Sequence, residues 1–382
     1  MLSPIPRVKI TGRNCDMNPV LQRRKDVTMP NTVSPPTRGR IAKWDNLKAV
    51  LIFLVVFAHL FRRINNVHPV MAGVFFFIYL FHMPAFIFVS GLFSKSAVKK
   101  RNYDRVFSFF MVYLVTKFLI WFVRLLLAED LVNDLPYVNL LQESGVAWYG
   151  LAMCAFLLMT MFLERYHPAY LMVACIALGC LAGYCKDVGI VCSLSRVLVY
   201  YPFFLAGFFL KPEQILRVTE HWCSRLLAVA VLVGTCWLCI LHQEELTPYT
   251  EFLKGKSDYS ELEALAPYGG LYRLALYAIG FLLLFSLIAI TPNFHIPVVS
   301  TVGKRTLSVY VFHYPLAQYF YDGFVLKDWI LANFPNLYGL AYAVISLLIV
   351  LVFASKPFDW LVSRLTNPPI RKTPHQKGSG DV

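Results

Sequence analysis

The apolar residues of this chain fall into runs of about 18 to 23, the length a helix needs to cross a hydrocarbon core. They lie near residues 47–64, 70–92, 107–127, 146–163, 169–185, 194–210, 226–242, 271–290, 306–321 and 338–355. The shortest runs, 169–185, 226–242 and 306–321, require little tilt or cover from neighbouring helices. Inside lipid, backbone N–H and C=O groups must be satisfied within the segment, so helices are expected and strands are not. Composition agrees, because 58% of the 382 residues are hydrophobic and 15% are charged, against roughly a quarter charged in soluble chains. The expected fold class is all-α, a polytopic membrane protein with about ten transmembrane helices.

A net charge of +14 would suit nucleic acid if it were spread over one face. Here the Lys and Arg instead sit in short segments beside the apolar runs, so no nucleic-acid partner is expected. They mark the tail before residue 44, the loop from Lys95 to Arg105, Lys211 to Arg225, Lys304 with Arg305, and the segment after Lys356. With ten spans these segments share one side. The opposite side carries an acidic loop (Glu129, Asp130, Asp134, Glu143) and a longer one, acidic on balance, that holds Lys254 and Lys256. Basic residues gather on the cytoplasmic side, so both termini are expected inside. Residues 1–40 are polar and basic, which argues for a disordered cytosolic tail and against a cleavable signal peptide. The transmembrane domain is expected over 41–355, followed by a second basic cytosolic tail over 356–382. Cys236 and Cys239 form a C-x-x-C in mid-run, without the βαβ setting a redox motif needs, and no metal site is expected.

Ionisable side chains inside a span cost a few kcal/mol, so each is a candidate for function. On the first span Lys48 precedes His59 by 11 residues and follows Asp45 by 3. Helical geometry then places all three on one face, with His59 about 16 Å beyond Lys48. Such an arrangement suits an anchor for an anionic group below a general base. Each residue also has a plainer reading: Lys48 snorkels, Asp45 caps the helix, and His59 bonds a neighbouring helix. The second span carries His82 beside Pro84, then Ser90-Gly91. Proline frees a carbonyl there, which is tolerated only inside protein or beside a cavity. His313, two residues before Pro315, is a third intramembrane histidine. Lys117 needs a partner or a wet cavity. Arg196 and Arg273 lie near span ends, where snorkelling is the default. Trp148 and Tyr149 are expected in an aromatic belt at the interface.

These motifs resemble the acyltransferase-3 family of multi-pass membrane acyltransferases, especially its fucose 4-O-acetylase-like branch. Trp44-Asp45-Asn46-Leu47-Lys48 through Ala58-His59 is similar to that family's Arg-x10-His signature. Phe81-His82-Met83-Pro84 into Ser90-Gly91, Arg196 to Gly207, and Gly303 to His313 are similar to three later motifs. The family's basic residue is usually Arg; Lys48 supplies a point charge without the bidentate fork. The resemblance implies transfer of an acyl group, usually acetyl, from cytosolic acetyl-CoA or another acyl-CoA to a hydroxyl of a glycan or other small acceptor. It implies His59, Lys48, Asp45 and His82 in catalysis, and Lys48, Ser90, Arg105, Lys304 and Arg305 toward the donor. Arg196, Arg273 and His313 would then serve the acceptor. The plasma membrane is the expected location, with lipid as the surroundings and the oligomeric state left open. Two other readings suit the residues: a proton-coupled transporter or flippase, and a silent scaffold descended from an acyltransferase. Neither a G-x-S-x-G elbow nor a Walker loop is present, which removes common hydrolase and ATPase alternatives.

Overall fold

The computed structural model describes residues 41–61, 68–128, 139–143, 145–186, 189, 191–322 and 326–367. The tail expected over 1–40, the acids Glu129, Asp130 and Asp134, and the final residues 368–382 lie outside that set. The chain is helical as the apolar runs require; among the described residues the one β contact is an isolated bridge between Gln142 and Val191. In order come α1 (Ala42–Phe61), α2 (Pro69–Leu92), α3 (Lys95–Lys99), α4 (Tyr103–Leu127), α5 (Trp148–Leu163), α6 (Pro168–Leu181), α7 (Leu194–Phe209), α8 (Pro212–Thr219) and α9 (Trp222–Leu241). They continue with α10 (Gln243–Leu246), α11 (Thr250–Leu253), α12 (Gly269–Ile290), α13 (Pro297–Lys304), α14 (Thr306–Asp322), α15 (Leu326–Asn333), α16 (Tyr338–Phe353) and α17 (Lys356–Thr366).

Each of the ten apolar runs falls on a helix among the described residues, but length and composition make fewer of them sufficient spans. Among the described residues five helices are long and apolar enough to cross a membrane, or up to seven if α7 with α8 and α16 with α17 each count as one bent span. The physical reason is reach. A helix of 16 residues such as α5 rises about 24 Å, short of a hydrocarbon core of about 30 Å.

Local sequence starts the helices where chemistry allows. Pro69 and Pro168 open α2 and α6, since a first-turn residue has no N–H partner to lose. Asn102 caps α4 by accepting from the Arg105 N–H at 3.2 Å. α1 and α2 are largely buried, whereas α9 is apolar and has few fully buried residues, as expected of a helix with one face to lipid. α2 and α7 cross in intimate contact because glycines meet carbonyls: a Cβ on Gly91 would lie 2.1 Å from the Phe204 oxygen, and one on Gly207 1.9 Å from the Phe88 oxygen. Small residues that let backbones approach are the usual means of tight packing in lipid.

α1 is tied to the corner before α13 by Asn46. Its amide donates to the Pro292 and Phe294 carbonyls at 3.0 and 2.9 Å, and its oxygen accepts from the Ser300 hydroxyl at 2.8 Å. This clamp brings Lys304, at the end of α13, to the same end of the bundle as Lys48.

Candidate active site

One cavity of about 390 Å³ lies within the bundle, lined by α1, α2, α4, α5, α7, α13, α14 and α17. One mouth is cationic and carries Lys48, Arg105 and Lys304. The other carries Trp148, Tyr200, Arg196 and Lys254. Between them the wall is apolar and aromatic, with Ile52, Val55, Met83, Phe86 and Val89. Lys48 and His59 both face this cavity, as their spacing on α1 requires.

His59 is not alone there. Its Nδ1 lies 3.0 Å from His313 Nε2. His313 Nδ1 faces the Val309 and Tyr310 carbonyls at 3.0 and 2.8 Å. Carbonyls only accept, so His313 Nδ1 carries a proton, and its Nε2 in the neutral ring is an acceptor. His59 must then donate through Nδ1, which leaves its own lone pair on Nε2. The backbone of α14 thereby selects the tautomer of a cavity-lining histidine 254 residues away in sequence. His82 is held by the same logic, with Nδ1 2.7 Å from the Ile78 carbonyl. Ser90 donates to the Phe86 carbonyl at 2.8 Å, so the Tyr149 hydroxyl, also at 2.8 Å, is the donor to Ser90.

At the cationic mouth Lys48 pairs with Asp45 at 2.9 Å and lies over the Phe93 ring at 5.4 Å. Asp45 itself is buried off the cavity wall, a partner to Lys48 rather than a lining residue. Arg305 also lies off the wall, donating to the Ala354 carbonyl at 3.0 Å. Arg273 is buried away from the cavity, donating to the Phe252 carbonyl with its guanidinium 4.1 Å from the Phe252 ring. His313 reaches the site through His59. Of the other expected residues, Lys48, His59, His82, Ser90, Arg105, Arg196 and Lys304 all line the cavity.

The aromatic mouth is covered by a strap formed by residues 139–143 and 145–147. Lys117 donates to the Asn139 and Gln142 carbonyls, both at 3.0 Å, and pairs with the buried Glu143 carboxylate at 2.7 Å. Arg196 donates to the Glu143 and Gly145 carbonyls at 3.3 Å and lies over the Trp148 ring. Tyr310 donates to the Val146 carbonyl at 2.6 Å. Trp148 and Tyr149, expected in an interfacial belt, are instead buried in the cavity wall, Trp148 against Tyr200 and Tyr149 among Phe86, Phe109 and Tyr310. Replacing Lys117 by Met should lower stability by about 2–4 kcal/mol, because it strands a buried carboxylate. Lys117→Met with Glu143→Gln should recover most of the loss in thermal unfolding of the solubilised protein.

Outside the spans, Glu251 bonds Lys254 and, at 3.0 Å, Lys256. Burial pushes its carboxyl up, but the two ammonium groups outweigh that and hold it down at about 2. Its stabilising contribution is thus fully present above the ordinary value of 4.5 and is lost only as pH falls toward about 2. Glu251→Gln should therefore leave any activity change between pH 5 and 8 where it stands in the wild type, as a pH–rate profile would show.

The acyltransferase domain family matches residues 41–355, which is most of the chain and contains every cavity-lining helix except α17. The chain belongs to the acyltransferase-3 family. Among curated proteins it is similar to nodulation protein NolL of Sinorhizobium fredii, 26% identical over 224 residues, 54% of this chain and 59% of that protein. The chain thus aligns with under two thirds of that relative's length. No solved structure matches it. Family membership and the apolar helices together place the chain among the integral membrane proteins of that family.

Proposed function

We propose that the protein is a membrane O-acyltransferase that moves an acetyl group from acetyl-CoA to a hydroxyl of a glycan or other small acceptor, as in the fucose 4-O-acetylase-like branch. The observation that carries this reading is the His59–His313 pair within a cavity that has a cationic mouth and an aromatic one. Phosphates of the donor dock at Lys48, Arg105 and Lys304, where charge-assisted hydrogen bonds favour them. Its pantetheine arm runs along the apolar wall toward His59, about 16 Å from Lys48 along α1. The acceptor enters past Trp148 and Tyr200, whose rings suit the apolar faces of a sugar, with Arg196 shaping the opening.

In the transfer, the acceptor oxygen attacks the thioester carbonyl while His59 Nε2 removes its proton. A C–O bond forms, the C–S bond breaks, and the departing thiolate recovers that proton from the imidazolium. An imidazole, with an ordinary pKa near 6.5, can serve in both directions near neutrality. His313 positions His59 and accepts its Nδ1–H throughout. His82 is a second polar group on the same wall. The cationic mouth faces the cytosol, in keeping with the basic loops, and the plasma membrane is the proposed location.

His313→Ala should reduce kcat by about ten- to a hundredfold, since the tautomer of His59 is no longer selected. The acid limb of the pH–rate profile should move as well. A fall in protein yield with an unchanged profile would instead mean a packing role. The two mouths also suit a proton-coupled transporter or flippase, and solute movement without thioester consumption would favour that reading.

A further inference from the structure

α17 follows the segment matched by the family, yet it supplies Asp359, Val362, Ser363, Thr366 and Asn367 to the wall of the cationic mouth. It is set off from α16 by a bend of 62°. Its first turn rests on ring contacts of Phe358 with Phe312 and Phe353. Its far end is fastened by the Ser108 hydroxyl, which donates to Asn367 Oδ1 at 2.6 Å. Between these points the polar tie is an ion pair of Asp359 with Arg305 at 3.7 Å, long for a hydrogen-bonded pair. Asp359 is also the one carboxylate among the described cavity-lining residues, where five side chains are Lys or Arg.

A carboxylate in a mouth that must take an anion works against binding. It makes sense as a counter-charge that occupies the mouth until the anion arrives. We propose that α17 is a gate on the donor entrance, held closed by the Asp359–Arg305 pair and opened when the donor's phosphates, arriving beside Asp359, repel that carboxylate from Arg305. The gate swings at residues 354 and 355, where α16 ends, and the Ser108–Asn367 bond is its catch. Asp359 is then a determinant of donor affinity and not a catalytic residue. This deepens the donor assignment made above and rests on it.

The test uses the full chain in detergent, with CoA as the probe. Asp359→Asn should tighten CoA binding and lower KM for acetyl-CoA by about three- to tenfold, the effect of removing one like charge at a partly solvated site. kcat should not change, and Asp359→Glu should behave as the wild type. Unchanged or weaker CoA binding by Asp359→Asn, with thermal unfolding as in the wild type, would overturn the proposal. A second readout needs no donor. Cysteines at Ser108 and Asn367 should form a disulfide in high yield, and adding Asp359→Asn should reduce that yield as the gate opens more often; an unaltered yield would overturn the gate. If the wild type bound no CoA, the donor assignment would fail while the cross-linking result still decided the gate.

Discussion

His59→Ala should lower turnover by about 10²- to 10⁴-fold, with the protein still inserted and folded. The size follows from what the imidazole does. Without it, no imidazole remains at that place on the wall to remove the acceptor proton, because His313 lies behind His59 with Nδ1 spent on the Val309 and Tyr310 carbonyls. Folding should survive because His59 lies on the wall of an existing cavity, so its removal enlarges that space without opening the core. Release of free CoA thiol from acetyl-CoA is the measurement, with thermal unfolding beside it. Full turnover by the variant would remove His59 from the mechanism, and His82, held at Nδ1 by the Ile78 carbonyl, would become the leading base.

Gly207→Val should cause a large loss of stability. A Cβ there meets the Phe88 carbonyl oxygen at 1.9 Å and the Leu92 nitrogen at 3.0 Å, and both are backbone. Gly91 faces Phe204 and Phe208 in the same way across the contact, so neither helix can yield without moving the other. The cost should exceed the roughly 1–3 kcal/mol of ordinary overpacking, because a backbone clash cannot be relieved by a rotamer change. Yield of monodisperse solubilised protein reports it. Gly234→Ala on α9 is the control: no atom lies within 4 Å of its Cβ position, and it should fold as the wild type.

Much of this was legible in the sequence, for reasons particular residues show. The apolar runs located the helices because backbone satisfaction in lipid leaves little choice. The spacing of 11 between Lys48 and His59 brought both onto the cavity wall. Asp45, further around the helix, turned inward to pair with Lys48. The contact of His59 with His313 could not be read, since no periodicity links residues 254 apart. Trp148 and Tyr149 carried the signature of an interfacial belt, and only their ring contacts with Tyr200, Phe86, Phe109 and Tyr310 on other helices show why they are buried. Arg273 looked like its counterpart Arg196, yet one packs on Phe252 and the other on the cavity-lining Trp148. Part of the segment expected as a basic tail is α17. Pro357 at its first turn and the amphipathic pattern through Leu365 were a readable helix signal, masked by counting charges alone.

The central claim is that acetyl-CoA entering at Lys48 loses its acetyl group to an acceptor entering at Trp148. It is tested most directly in native membranes supplied with acetyl-CoA labelled in the acetyl group, following free CoA and label in the glycan and lipid fractions. The account predicts that both rise together in the wild type and that both stop in His59→Ala. Unconsumed thioester in the wild type, with native acceptors present, would contradict it.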